Sequence, residues 1–112
     1  MRDYEAMLVL QPTLDDEGVN GVVSLVGELV GRGGGTVASA GQLVDKRGNV
    51  AEVTEGWRTR RLAYTIDGKR DGYFVVLRLQ APPESIGELE RALHINENIL
   101  RHMVLRADAP AA

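Results

Sequence analysis

The sequence predicts an α+β sandwich, with one antiparallel sheet of four strands and two helices packed on a single face. Three observations predict it. Apolar residues alternate at period two in several separate segments, which is the mark of strands. Two other segments carry apolar residues at three- and four-residue steps, the mark of amphipathic helices. Their order is strand, helix, strand, strand, helix, strand, and two such split units close with both helices on one side of the sheet, the ferredoxin-like arrangement. Right-handed crossovers place the first and third strands in the middle. The other face of the sheet is left open, and a binding protein of this build takes a partner there.

The first strand spans residues 2–10, with Tyr4, Ala6, Leu8 and Leu10 on one face; Pro12 ends it because proline cannot donate to a ladder. Thr13 or Asp15 caps the first helix, and Asp15, Asp16 and Glu17 sit where the helix dipole favours negative charge. Val19, Val22, Val23, Val26, Leu29 and Val30 form its apolar stripe, and the glycines at 31–35 stop it. Residues 36–44 read as a second strand. Residues 45–56 are polar and glycine-punctuated, an excursion within or beside that strand, and 60–66 resume an extended pattern. Residues 67–72 read as a turn. The third strand covers 73–81 and is apolar on much of both faces, as a central strand should be. Pro83 opens a second helix with Ile86, Leu89, Ala92 and Leu93 on its stripe. The last strand is expected over residues 99–107, with Ile99, Arg101, Met103 and Leu105 on one face. The domain is expected over 1–107, with a flexible tail at 108–112.

Composition narrows the functional classes. At 112 residues with 44% hydrophobic and 26% charged side chains, the chain fits one domain with a real core. No apolar run reaches the roughly 18 residues of a membrane span, and no signal peptide is read at the start. There are no cysteines, which removes disulfides, thiol catalysis and cysteine-ligated zinc and fits a cytoplasmic protein. The net charge is −3, which taken alone argues against nucleic acid. The distribution softens that objection. Residues 1–56 hold 4 basic and 9 acidic side chains (net −5), and residues 57–112 hold 9 basic and 7 acidic (net +2). Of the 13 basic residues, 11 are arginine, whose planar fork suits phosphate and carboxylate.

Several residues stand out as candidates. Arg58, Arg60 and Arg61 crowd beside Trp57, a pairing of residue types enriched at binding hot spots; a charged edge strand guarding against aggregation is the bland alternative. Arg2, Arg101 and Arg106 fall on the first and last strands, side by side in this topology, with His102 nearby; simple solvation competes with a basic patch. The glycines at 31–35 are no phosphate loop, because they end a helix instead of opening one. His94 and His102 have no neighbouring cluster of metal ligands, so neither a metal nor a cofactor is expected. Tyr73 and Phe74 are not matched by an aromatic set of the RNA-recognition kind on strand 1, so any RNA contact should follow backbone and shape instead of base stacking.

The residues resemble a known family. Arg2-Asp3-Tyr4-Glu5 with Leu10-Gln11-Pro12, the stretch Trp57-Arg58-Thr59-Arg60-Arg61-Leu62-Ala63-Tyr64-Thr65-Ile66, then Asp71-Gly72-Tyr73-Phe74, Glu88-Leu89-Glu90-Arg91 and Asn98-Ile99-Leu100-Arg101-His102-Met103-Val104 resemble, in order, bacterial small-subunit ribosomal protein number six. Arg58 stands where that family usually has glycine, Thr65 where it has proline, and an insert around 43–56 lengthens the second strand region. The resemblance implies a ribosomal constituent, not an enzyme, that binds small-subunit (16S) ribosomal RNA together with ribosomal protein number eighteen. It implies RNA contacts from Arg2, Arg58, Arg60, Arg61, Arg101, His102 and Arg106, partner-protein contacts from Trp57, Leu62 and Tyr64, and neither membrane nor small-molecule substrate. The alternative is a small-molecule regulatory domain of the same fold, acting as a homodimer. A phosphatase of this fold is rejected, because residues 11–14 offer no anion cradle after strand 1.

Gly18, Gly21 and Gly27 oppose the first helix at about 1 kcal/mol each. Burying its six aliphatic side chains contributes roughly 9 kcal/mol, so docking decides the matter. A peptide covering only this helix should show little helicity by circular dichroism; a strongly helical peptide would mean local propensity suffices.

Overall fold

The computed structural model describes residues 1–45 and 47–107. Its elements are β1 (Arg2–Leu10), α1 (Asp16–Arg32), β2 (Thr36–Leu43), β3 (Val50–Ala51), β4 (Thr59–Ile66), β5 (Lys69–Ala81), a 3₁₀ turn (Pro83–Ser85) leading into α2 (Ile86–Ile95), and β6 (Ile99–Arg106). The strands run in the order β3-β2-β5-β1-β6, with β4 also paired to β5. Strands β2, β5, β1 and β6 keep the expected ferredoxin-like layout, with the first strand and the long β5 in the centre. The sheet has six strands instead of four because the excursion divides the second one. β2 pairs with residues 75–80 of β5 and β4 with residues 69–73, so the two lie end to end along one side of it. The tail expected at 108–112 lies outside the described residues.

The core follows from the alternation. Tyr4, Ala6, Leu8 and Leu10 stand opposite Leu79, Leu77, Val75 and Tyr73, all on the face that carries the helices. Val19, Val22, Val26 and Val30 of α1 and Leu89 and Leu93 of α2 close over them. Each such side chain contributes about 1.5–3 kcal/mol when fully buried. Asp15 is the N-cap of α1, its carboxylate accepting the Gly18 N–H at 2.8 Å. The buried Tyr73 keeps its hydroxyl satisfied by donating to the Leu14 carbonyl at 2.7 Å. After Arg32 the chain turns through Gly34 at φ +90°. Gly35 then passes so close to β5 that a Cβ there would sit 2.3 Å from the Gln80 carbonyl oxygen.

Two sequence expectations change. Only Asp67 and Gly68 form the turn expected over 67–72, and Lys69 to Gly72 belong to β5. Both turn residues have positive φ, 49° and 76°, the mirror-image hairpin geometry that Asp-Gly favours and that matches strand twist. On β6, Ile99 does not share a face with Arg101, Met103 and Leu105. Ile99 pairs with Leu10 and Arg101 with Val9, so Leu100 is an extra residue, a bulge that flips the strand. Ile99 enters the core, while Arg101, Met103 and Leu105 turn to the open face.

Gly35→Ala should lower the melting temperature sharply, because the added methyl meets backbone on a central strand. Gly21→Ala, with nothing within 4 Å of its new Cβ, should raise stability by up to about 1 kcal/mol in urea denaturation. Equal effects at both sites would contradict this packing.

Candidate functional site

The open face of the sheet is apolar where it should meet water. Met7 pairs with Val76 and Met103, and Val9 with Phe74 and Arg101, all on the side away from the helices. Beside them the β4–β5 hairpin runs beyond the end of β1, since β1 pairs no further along β5 than Tyr73. Leu62, Tyr64 and Ile66 from β4 join Met7, Val9, Phe74 and Met103 around a groove of about 180 Å³. Leu62 is buried there, whereas Tyr64 is 57% and Met103 47% exposed. Contiguous exposed apolar surface is the kind of surface that contact sites in general are built from. At its rim the Arg101 guanidinium lies over the Tyr64 ring, 5.6 Å from the centroid, a cation–π arrangement that orients both side chains. Farther along the same face Arg78 pairs with Glu5 across the strands at 3.4 Å.

The excursion between β2 and β4 is tied down at its base. The Gln42 side chain donates from Nε2 to the Gly56 carbonyl at 3.2 Å and accepts at Oε1 from the Arg58 N–H at 3.0 Å, so one carboxamide closes the loop where the chain leaves and returns. Asp45 accepts the N–H groups of Arg47 and Asn49 and the Asn49 side-chain amide. These bonds, the Asn49 side chain foremost, hold its carboxyl below the usual carboxylate value, with Arg60 adding a Coulombic pull. Val50 and Ala51 then fold back along β2 as β3 and cover Gly41, where a Cβ would meet the Ala51 oxygen at 2.7 Å.

Trp57 anchors this excursion to α1. Its backbone N–H reaches Asp16 Oδ1 at 2.9 Å and its indole N–H reaches Asn20 Oδ1 at 2.8 Å, while the ring packs against the core. Trp57 therefore belongs to the helix layer and does not share the groove with Leu62 and Tyr64. Arg58 is exposed and pairs with Glu55 at 3.4 Å. Arg60 stands opposite Gly72, and Arg61 opposite Asp71 on the other face, as the strand alternation predicted.

The basic patch expected from Arg2, Arg101 and Arg106 does not form as one cluster. Arg106 pairs with Tyr4 near Arg2, but Arg101 pairs with Val9, seven residues beyond Arg2 along β1, roughly 23 Å from it at about 3.3 Å per residue. His102 turns to the helix face opposite Leu8, its ring edge-on to His94 at 6.1 Å. Sequence reasoning overlooked Met7, Val9, Phe74 and Met103 as groove residues, although the second apolar face of β1 and β5 carried the signal. It also passed over Arg70, which the expected turn hid. Among the described residues no group of three His, Asp or Glu side chains is placed to hold a metal ion, and no helix is long and apolar enough to cross a membrane.

An antiparallel sheet backed on one face by two helices, with an apolar groove and arginines on its open side, places the chain in the ferredoxin-like class of α+β proteins. Comparison with known proteins makes this specific. Residues 36–106 match the family model described as Ribosomal protein S6. The chain is 36% identical over 108 residues to the small ribosomal subunit protein bS6 of Salinispora arenicola, spanning 96% of this chain and 98% of that protein. It is 32% identical to its counterpart in Desulforudis audaxviator, over 96% of this chain and 100% of that one. The crystal structure of 30S ribosomal protein S6 from Thermotoga maritima superposes with a TM-score of 0.75 at 20% identity, over 94% of this chain and 86% of that one, which supports the fold. The chain belongs to the ribosomal protein S6 family and is a protein of the small ribosomal subunit. The regulatory-domain alternative has no support among these relatives.

Trp57→Phe removes the indole donor to Asn20 and should cost about 1 kcal/mol. Combined with Gln42→Ala it should open residues 44–58 to proteolysis while the rest of the sheet stays protected from hydrogen exchange. Unchanged cleavage in that segment would show that other contacts hold the excursion.

Proposed function

We propose that this chain is a structural constituent that binds small-subunit ribosomal RNA jointly with ribosomal protein number eighteen, and that it catalyses nothing. The observation that supports this best is the open sheet face, where an apolar groove and exposed arginines adjoin. Apolar surface of that kind suits a protein partner, because its burial drives association. Arginines beside it suit phosphate, because a guanidinium fork forms charge-assisted bonds to phosphate oxygens. In this reading Leu62 and Tyr64 meet the partner at the groove, and Trp57 supports them indirectly by fixing the segment that leads into β4. Arg60, Arg61 and Arg101 reach RNA from the hairpin side, Arg2 and Arg106 from the opposite end of β1. Arg58 and His102 contribute less, the first being shared with Glu55 and the second turned toward α2. Dividing recognition in this way makes binding cooperative, since each partner completes a surface for the other.

The chain should bind 16S ribosomal RNA weakly alone and tightly with the eighteenth small-subunit protein present, measured by filter binding. It should also co-sediment with small subunits. Tight RNA binding that is indifferent to the partner, or absence from the subunit fraction, would overturn the reading.

A further inference from the structure

The arginines of this chain differ in whether an acid neutralises them. Arg32, Arg58, Arg78 and Arg91 each have a carboxylate within 4.0 Å. Among the described residues, Arg61, Arg70 and Arg101 have none, although Asp67 and Asp71 lie on the same hairpin as the first two. All three are exposed. The fold gathers them around one ring. β4 and β5 lose their regular register between Arg61 and Ile66, and Arg61 and Arg70 come to border one shallow pocket with Tyr64 and Thr65. Tyr64 also borders the groove on its other side, where Arg101 lies over its ring at 5.6 Å.

We propose that Arg61, Arg70 and Arg101, arranged around Tyr64, form a patch that grips consecutive phosphates of an RNA strand. The assignment rests on the RNA-binding reading above and adds Arg70 and the hairpin tip to it. Arg61 and Arg70 stand on the hairpin and Arg101 reaches its Tyr64 ring from β6, and one carboxylate would satisfy only one guanidinium. A chain of phosphates supplies several negative charges along a line, so it answers three arginines at once. The hairpin suits this because, among the described residues, β4 pairs with β5 alone. The Tyr64 ring beneath the Arg101 guanidinium orients that side chain, which lowers the entropy lost when it engages.

The test is filter binding of the full chain, with ribosomal protein number eighteen, to 16S ribosomal RNA over a salt series. The variant pairs Arg61→Ala with Arg70→Ala; the control pairs Arg32→Ala with Arg91→Ala, both already neutralised. The first should weaken binding at least tenfold at low salt and flatten the slope of log affinity against log salt by roughly 1.4–1.8, about 0.7–0.9 per lost phosphate contact. The control should change neither. Arg61→Lys with Arg70→Lys should retain most of the slope, which separates lost charge from a damaged fold. An alanine pair that leaves affinity and slope unchanged in a wild-type chain that binds RNA overturns this assignment alone. Equal loss of affinity for the partner protein without RNA would make the patch a protein interface and also overturn it. A wild-type chain that binds no RNA under any condition overturns the parent reading together with this one.

Discussion

β5 carries thirteen residues, pairs along one side with β1 and is covered along the other by β2 and β4 in succession. A strand flanked on both edges must also be apolar on both faces unless one meets water, and β5 nearly is: Tyr73, Val75, Leu77, Leu79 and Ala81 fill the helix side, while Phe74 and Val76 face the other. That two-sided character fixes register, because a slip of one residue would expose the first set and bury Arg78 and Gln80. The helices then have one place to dock. The groove on the far face is the remainder of the same constraint: Phe74 and Val76 are apolar because they lie mid-sheet, and the helices cannot reach them.

The excursion shows how an edge strand takes extra chain without losing register. β2 and β4 stay aligned on β5 because Gln42 imitates a peptide unit, donating and accepting across the gap that residues 44–58 leave. Trp57 completes the closure by binding the first turns of α1 through Asp16 and Asn20. Asp16 thus has two uses: its charge suits a helix N-terminus, and its oxygen receives the Trp57 backbone. Gly56 lies between them with φ +104°, where any side chain would be strained and would press on Asp16. Residues 42, 56 and 57 therefore act together, and the sheet edge remains one edge despite its break.

Much of this was legible in the sequence. The alternation in β1 and β5 and the valine stripe of α1 specify the fold because burial dominates the energetics of a domain this size. Asp15 and the glycines after Arg32 mark the ends of α1 for reasons that are local. The misread details depend on partners distant in sequence. The flip of Arg101 away from Ile99 is a property of the pairing between β1 and β6, and no pattern within 99–106 reveals a bulge. The single-turn reading of 67–72 failed because Lys69, Arg70 and Asp71 look like loop residues until β4 is there to pair with them. Trp57 drew notice for its arginine neighbours, and only the third dimension brings Asn20 to its indole.

Net charge is a poor guide to what such a surface attracts. A total of −3 averages over carboxylates at the start of α1, which are occupied with capping and with Trp57, and over ion pairs such as Arg78 with Glu5, which cancel locally. At physiological ionic strength charges farther apart than about 8 Å are largely screened from one another. A polyanion approaching the hairpin therefore responds to the charges within that distance, Asp67 and Asp71 as well as the arginines, and not to the net charge of the whole chain. What distinguishes one arginine from another in this chain is whether a carboxylate already occupies its fork. By that measure an acidic total does not by itself exclude a polyanion from a surface where, among the described residues, several arginines lack a carboxylate partner.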